Sequence, residues 1–205
     1  MTVLTGVKAP FELTQYAIAI KQQGIDFVIR HYSHQAGKSL SLAEARALTD
    51  AGLQIGVLWD TADVHPGYYN RAQGCADGAA AYLMAQAVVA QPSGSVIYFA
   101  VPEMAGADDA AGLYFEGVNQ AFRAAGPDER QYQVGVYGAG GCCERMVARG
   151  LASAGWLADD DEQAYAGYSL RQQADAVLPV DDGQRISVGM ARTSAERPAG
   201  LFRVL

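Results

Sequence analysis

The chain predicts an α/β fold, a single (β/α)8-type TIM barrel spanning residues 1–205 with its last helices short or missing. Three observations support this. Strand-like and helix-like stretches alternate about six to eight times at a spacing of roughly 25 to 40 residues. The stretch 95–103, SVIYFAVPE, is almost continuously apolar, β-branched or aromatic and stops at a Pro and a carboxylate, as a fully buried parallel strand does. No glycine-rich phosphate fingerprint follows the first strand, which counts against a dinucleotide-binding sheet.

In chain order, residues 2–7 read as a strand and 11–23 as a helix, with Phe11, Leu13, Tyr16, Ala17 and Ile20 at near-helical spacing before Gly24. Residues 25–31, IDFVIRH, form the second strand. Ser41 with Glu44 three residues on is a capping box, opening a helix that ends at Gly52. Residues 53–59, LQIGVLW, are the third strand and deliver Asp60 to its tip. A loop rich in Gly, Pro and aromatics leads to an alanine-rich helix over 73–90, stopped by Pro92 and Gly94. Strand four follows, then a helix opened by Asp108 and Asp109, whose charges suit a helix N-terminus. Strand five is 132–137, a helix runs through Arg149, and strands six to eight are expected at 152–157, 168–172 and 186–190.

Half of the 205 residues are hydrophobic, enough for a sizeable core, and 22 acidic against 15 basic residues leave a net charge of −7. That balance argues against nucleic acid or an anionic membrane as the main partner. No apolar run approaches the roughly 20 residues of a membrane-spanning helix, and the start MTVLTGVKAPFELTQ lacks the pattern of a signal peptide. A soluble chain, cytoplasmic or exported by a non-classical route, is the expectation. Cys75, Cys142 and Cys143 show no CxxC spacing and fit buried thiols, and His31, His34 and His65 lack metal-ligand spacing and fit surface or loop roles. No metal or cofactor is called for.

In barrels of this type the chemistry sits at the C-terminal tips of the strands, which singles out Glu103 and Asp60. Asp60 is either a working acid or the cap of the following turn. Lys8 either enters the groove to meet Glu103 or an anionic group, or is an idle loop lysine. Arg30 and Tyr32 bind an acid in the site or form a structural salt bridge at the rim. Trp59, Tyr98, Tyr137 and Trp156 either stack on sugar rings or form the barrel's top core layer. Gln172 and Gln173 alternate in direction, so one of them faces outward.

The pieces GIDFVIRHYS (24–33), KSLSLAEARALTDAG (38–52), AGLQIGVLW (51–59), GCADGAAAYLMAQA (74–87), SVIYFAVPE (95–103), YFEGVNQAF (114–122), YQVGVYG (132–138) and GWLA (155–158), with the glutamines at 172 and 173, occur in an order that resembles a known family. It is the glycoside-hydrolase-like TIM-barrel domain called domain of unknown function 1906, a distant relative of the family 25 lysozymes. The resemblance implies a glycan-facing groove and, for the lysozyme relatives, cleavage of peptidoglycan. It also implies acids at the ends of the first, fourth and last strands. This chain has Lys8 at the first. At the fourth, Pro102 stands where the closer family has aspartate, while against the lysozymes Glu103 matches their glutamate and Val101 replaces their aspartate. The last strand reads VGMA, without an acid.

Glycoside hydrolysis uses two carboxyl groups, or one with the substrate's acetamido group. The expected function is therefore a glycosidase acting on bacterial peptidoglycan or a related polysaccharide, with Glu103 as general acid and Asp60 as the candidate second carboxyl. Lys8, Arg30, Tyr32, Trp59, Tyr98, Tyr137, Trp156 and Gln172 are the candidate substrate contacts. Two rivals are a glycan-binding barrel that has lost catalysis and a secreted effector or phage-type wall-degrading protein.

Overall fold

The computed structural model describes all residues except 1, 36, 62–63, 66, 102–107, 126–131, 159–164 and 182. Eight strands close a barrel in chain order: β1 (Thr5–Lys8), β2 (Phe27–Tyr32), β3 (Gln54–Trp59), β4 (Val96–Ala100), β5 (Gln133–Gly138), β6 (Ala154–Leu157), β7 (Leu170–Asp181) and β8 (Gln184–Thr193). Each neighbouring pair from β1 and β2 to β6 and β7 is parallel. β8 runs antiparallel to both β7 and β1. The expected barrel is present, and its last two strands differ from the expectation: they are far longer and form one hairpin. The Asp-Gly pair at 182–183 is a hairpin-turn signal, and Gly183 takes the positive φ of 87° that such a turn requires.

Around the barrel lie α1 (Ala17–Gln22), entered through a 3-10 turn at Thr14–Tyr16, α2 (Leu42–Asp50), α3 (Arg71–Leu83) with a π-helical extension Met84–Val89, α4 (Asp108–Ala125) and α5 (Gly140–Ala148). α3 and α4 approach at backbone contact. A Cβ on Gly74 would run into the Tyr114 carbonyl and one on Gly117 into the Arg71 carbonyl, so only glycine permits this spacing.

Strand alternation separates two cores. Val28, Val57, Trp59, Phe99 and Val136 face the helices, whereas Phe27, Ile29, Leu58, Tyr98, Trp156, Leu170 and Ala191 fill the barrel. Inside, bulk alternates with its absence. Gly6, Gly56 and Gly135 on β1, β3 and β5 leave room for Phe27, Leu201 and Tyr98, whose side chains an added Cβ would crowd. The chain end closes the base: Tyr98 Oη donates to the Ala199 carbonyl (2.9 Å), Val96 N–H donates to Gly200 (3.1 Å), and Phe202 bridges Ile55.

One buried ion pair ties α2 to the sheet. Arg30, fully buried on the outer face of β2, donates Nε–H to Glu44 Oε1 (2.6 Å), Nη2–H to Oε2 (3.2 Å) and Nη1–H to the Ala9 carbonyl (2.8 Å). Glu44 Oε1 also accepts the Leu13 N–H (2.8 Å). The expected capping box is therefore half formed. Ser41 Oγ accepts the Glu44 N–H (3.1 Å), but the carboxylate turns inward because a buried guanidinium is the stronger partner. Removing one member strands the other in the interior. Arg30→Met alone is expected to cost about 3–5 kcal/mol. Arg30→Met with Glu44→Leu should cost less than the two single changes added together, while still leaving Leu13 N–H and Ala9 C=O unmet. Urea midpoints of the two singles and the double check this, and simple additivity would refute it.

Candidate functional site

The barrel mouth, at the C-terminal ends of the parallel strands, gathers Lys8 from β1, His31 from β2, Asp60 after β3, Tyr137 from β5, Trp156 from β6 and Gln172 from β7. Lys8 Nζ lies 5.1 Å from the Tyr137 ring centre and 5.5 Å from that of Trp156, and the two rings are 4.3 Å apart at 47°. Among the described residues, no hydrogen-bond acceptor and no ion-pair partner reaches this ammonium. Burial lowers its pKa, and the Asp175 carboxylate on the β7–β8 hairpin opposes that.

His31 is 9% exposed, and its Nδ1 has no hydrogen-bond partner among the described residues. Burial holds its pKa down to about 4 against the pull of Asp60, with Arg30, Lys8 and Lys38 adding to the depression. Asp60 accepts from Ser33 Oγ (3.0 Å) and Lys38 Nζ (3.2 Å), which fix its carboxylate at the rim. Gln172 donates Nε2–H to the Gln173 carbonyl (3.3 Å), while its Oε1 is buried without a partner among the described residues, as is Trp156 Nε1. Unmatched polar atoms of this kind are few in native interiors and each calls for a reason. His31 Nδ1, Trp156 Nε1 and Gln172 Oε1 belong to residues at one end of one barrel, where ligands of this architecture bind. Trp59 Nε1 is also unmatched, but lies outside the barrel.

Four expected contacts do not reach this mouth. Arg30 is consumed by Glu44. Tyr32 is fully buried in the helix-facing core, with Oη donating to Gln91 Oε1 (2.6 Å). Trp59 shares that core and meets the His34 edge at 5.2 Å. Tyr98 lies inside the barrel beneath Trp156, its hydroxyl directed to the base. For Arg30, Tyr32 and Trp59 the reason is strand parity. With Phe27 and Ile29 inside, His31 must follow them, and Arg30 and Tyr32 must face the helices. His31, expected on the surface or in a loop, is the residue that the sequence reading missed, and that alternation was the signal. Glu103 and Pro102 lie outside the described residues. The neighbouring Val101 is held by its N–H to the Tyr137 carbonyl (2.8 Å). Among the described residues no group of three His, Cys, Asp or Glu could hold a metal ion, and all three cysteines are thiols.

The His31 environment has a consequence for acid stability. The unfolded imidazole titrates near 6.5 and the folded one near 4, so the unfolded chain takes up the proton first. This contribution is complete above pH of about 6.5 and is lost as pH falls toward 4, on the order of 3 kcal/mol in all. Unfolding free energies at pH 7 and pH 4 should fall more for the wild-type chain than for His31→Gln. An NMR titration of His31 with a midpoint near 6.5 would contradict it.

Comparison with known proteins accords with this geometry. Residues 18–187 match the family described as Rv2525c-like, glycoside hydrolase-like domain. The uncharacterized protein FadG of Bacillus subtilis is 28% identical over 148 residues, 69% of this chain, which spans only 25% of that relative's length. Among solved structures, the Tat-secreted protein Rv2525c of Mycobacterium tuberculosis, crystallised with HEPES, superposes with a TM-score of 0.76 at 17% identity, covering 97% of this chain and 98% of that one. A lysozyme from Streptomyces coelicolor (TM-score 0.58, 10% identity, 97% and 94% covered) shares the fold. So does a family GH25 lysozyme from Aspergillus fumigatus (0.53, 10%, 95% and 95%). With its closed barrel and its match over most of its length, the chain belongs to the Rv2525c-like, glycoside hydrolase-like domain family.

Proposed function

We propose that the mouth of this barrel binds a sugar chain of the bacterial cell wall, or a related polysaccharide, and hydrolyses it with Glu103 as general acid. The observation that carries the reading is the set of buried, unmatched polar atoms His31 Nδ1, Trp156 Nε1 and Gln172 Oε1 at the strand tips beside the Tyr137 ring. A sugar offers both the hydroxyls that meet such atoms and an apolar ring face that packs on an aromatic. Lysozyme is the activity named for two of the fold neighbours, and it enters this reading by that likeness.

In this mechanism Glu103, protonated, gives its proton to the glycosidic oxygen as the bond from the sugar's anomeric carbon to that oxygen breaks. Asp60, or the acetamido group of the substrate, stabilises the positive charge left on the sugar, and water completes the cleavage. Lys38 Nζ–H and Ser33 Oγ–H donate to the Asp60 carboxylate and hold it oriented, as that role needs.

A specific observation favours a second reading, binding without cleavage: an ammonium, Lys8, closes β1 where the lysozyme relatives keep an acid. Purified peptidoglycan separates the two. Hydrolysis requires release of reducing ends by the wild-type protein, reduced roughly 100-fold or more in Glu103→Gln. Co-sedimentation with the wall and no release of reducing ends would instead establish the binding module.

A further inference from the structure

We propose that Lys8 makes the mouth selective for a sugar that carries a carboxylate, through an anion subsite formed by the Lys8 ammonium and the indole N–H of Trp156. The inference rests on the reading that the mouth holds a glycan, and it adds which chemical class of glycan is taken.

A half-buried ammonium in a folded protein ordinarily has an acceptor or a counter-ion, because desolvating it alone is costly. Lys8 has neither among the described residues. Its contacts are the faces of Tyr137 and Trp156, which hold a cation in place but accept none of its N–H groups in the way an oxygen does. Asp175 acts on it electrostatically, yet lies beyond ion-pair distance. Buried His31 is neutral near pH 7 and so does not compete as a second cation. The aromatic platform brings a second donor, since Trp156 Nε1–H is buried and has no acceptor among the described residues.

Two donors without acceptors, one of them charged, match a carboxylate, which has two oxygens and the missing charge. Gln172 Oε1, an acceptor without a donor, suits a hydroxyl of the same sugar. General attraction cannot substitute for this contact. The chain carries a net charge of −7, so its long-range field repels anions, and any preference for one must come from short-range groups.

The test is calorimetric binding to the unmodified protein of two ligands that differ only in charge: the N-acetylglucosaminyl-N-acetylmuramic acid disaccharide, which bears a lactyl carboxylate, and its methyl ester. The acid is expected to bind at least about tenfold more tightly than the ester, with Lys8→Met bringing the two within about twofold and Lys8→Arg keeping a preference. Equal binding of acid and ester to the wild-type chain overturns the inference while leaving the glycan reading intact. Retention of the preference in folded Lys8→Met overturns it as well. Binding of neither ligand removes both. The comparison of the two ligands needs no variant, so a misfolded Lys8→Met would leave the inference open to refutation.

Discussion

The constraint on which the structure rests is the filling of a narrow barrel. Eight strands leave an interior just wide enough for side chains, and it is filled here by large rings set against glycine. Phe27 occupies the space that Gly6 leaves, and Tyr98 that of Gly135. Trp156 then lies edge-on above Tyr98 at 5.7 Å and forms the floor beneath the strand tips. The height of Trp156 in the barrel follows from this stacking. Lys8 and Tyr137 occupy the next level up because no space remains below.

Buried polar groups fall into two populations. Among the described residues of the helix layer two charged clusters are saturated, while Trp59 Nε1 is not. Arg30 and Glu44 use each other and two backbone groups, and Asp77 accepts from Tyr68 Oη (2.7 Å), Tyr114 Oη (2.6 Å) and Gln73 Nε2 (2.8 Å). At the mouth, Lys8, His31, Trp156 and Gln172 each keep a polar atom unanswered among the described residues. Depth of burial does not follow this division, since Arg30 is buried more deeply than His31. An interior network that is already complete, such as that of Arg30 and Glu44, offers nothing to a ligand.

The barrel was legible because its strands are apolar runs of the right length separated by helix signals. The direction of each side chain was less so. A strand buried on both faces, such as FVIRHY, shows no polar alternation, so Arg30, His31 and Tyr32 looked equally placed at a tip although only His31 turns inward. Trp59 and Asp60 are adjacent and face opposite ways for the same reason. Tyr137 and Trp156 were placed at the mouth because each lies one residue from the end of its strand and faces inward, and Gln172 because it lies just beyond the β6 pairing on β7. The redirected Glu44 carboxylate was not legible, because its partner is fourteen residues away on another element. The paired course of the last two strands was signalled by Asp-Gly at 182–183.

The reversed final strand has a topological consequence. Had β8 been parallel to its neighbours, the polypeptide would leave the barrel on the same side as Lys8 and His31. Running the other way, it carries the chain back to the opposite pole, where Leu4 and Thr193 bond to one another and Arg203 and Val204 reach the end of α2 through Gly52 and Thr49. Both extremities of the barrel thus emerge from the pole remote from the candidate cleft. Polypeptide joined to either one would begin there, so the fold can be inserted into a longer protein with the barrel mouth unobstructed.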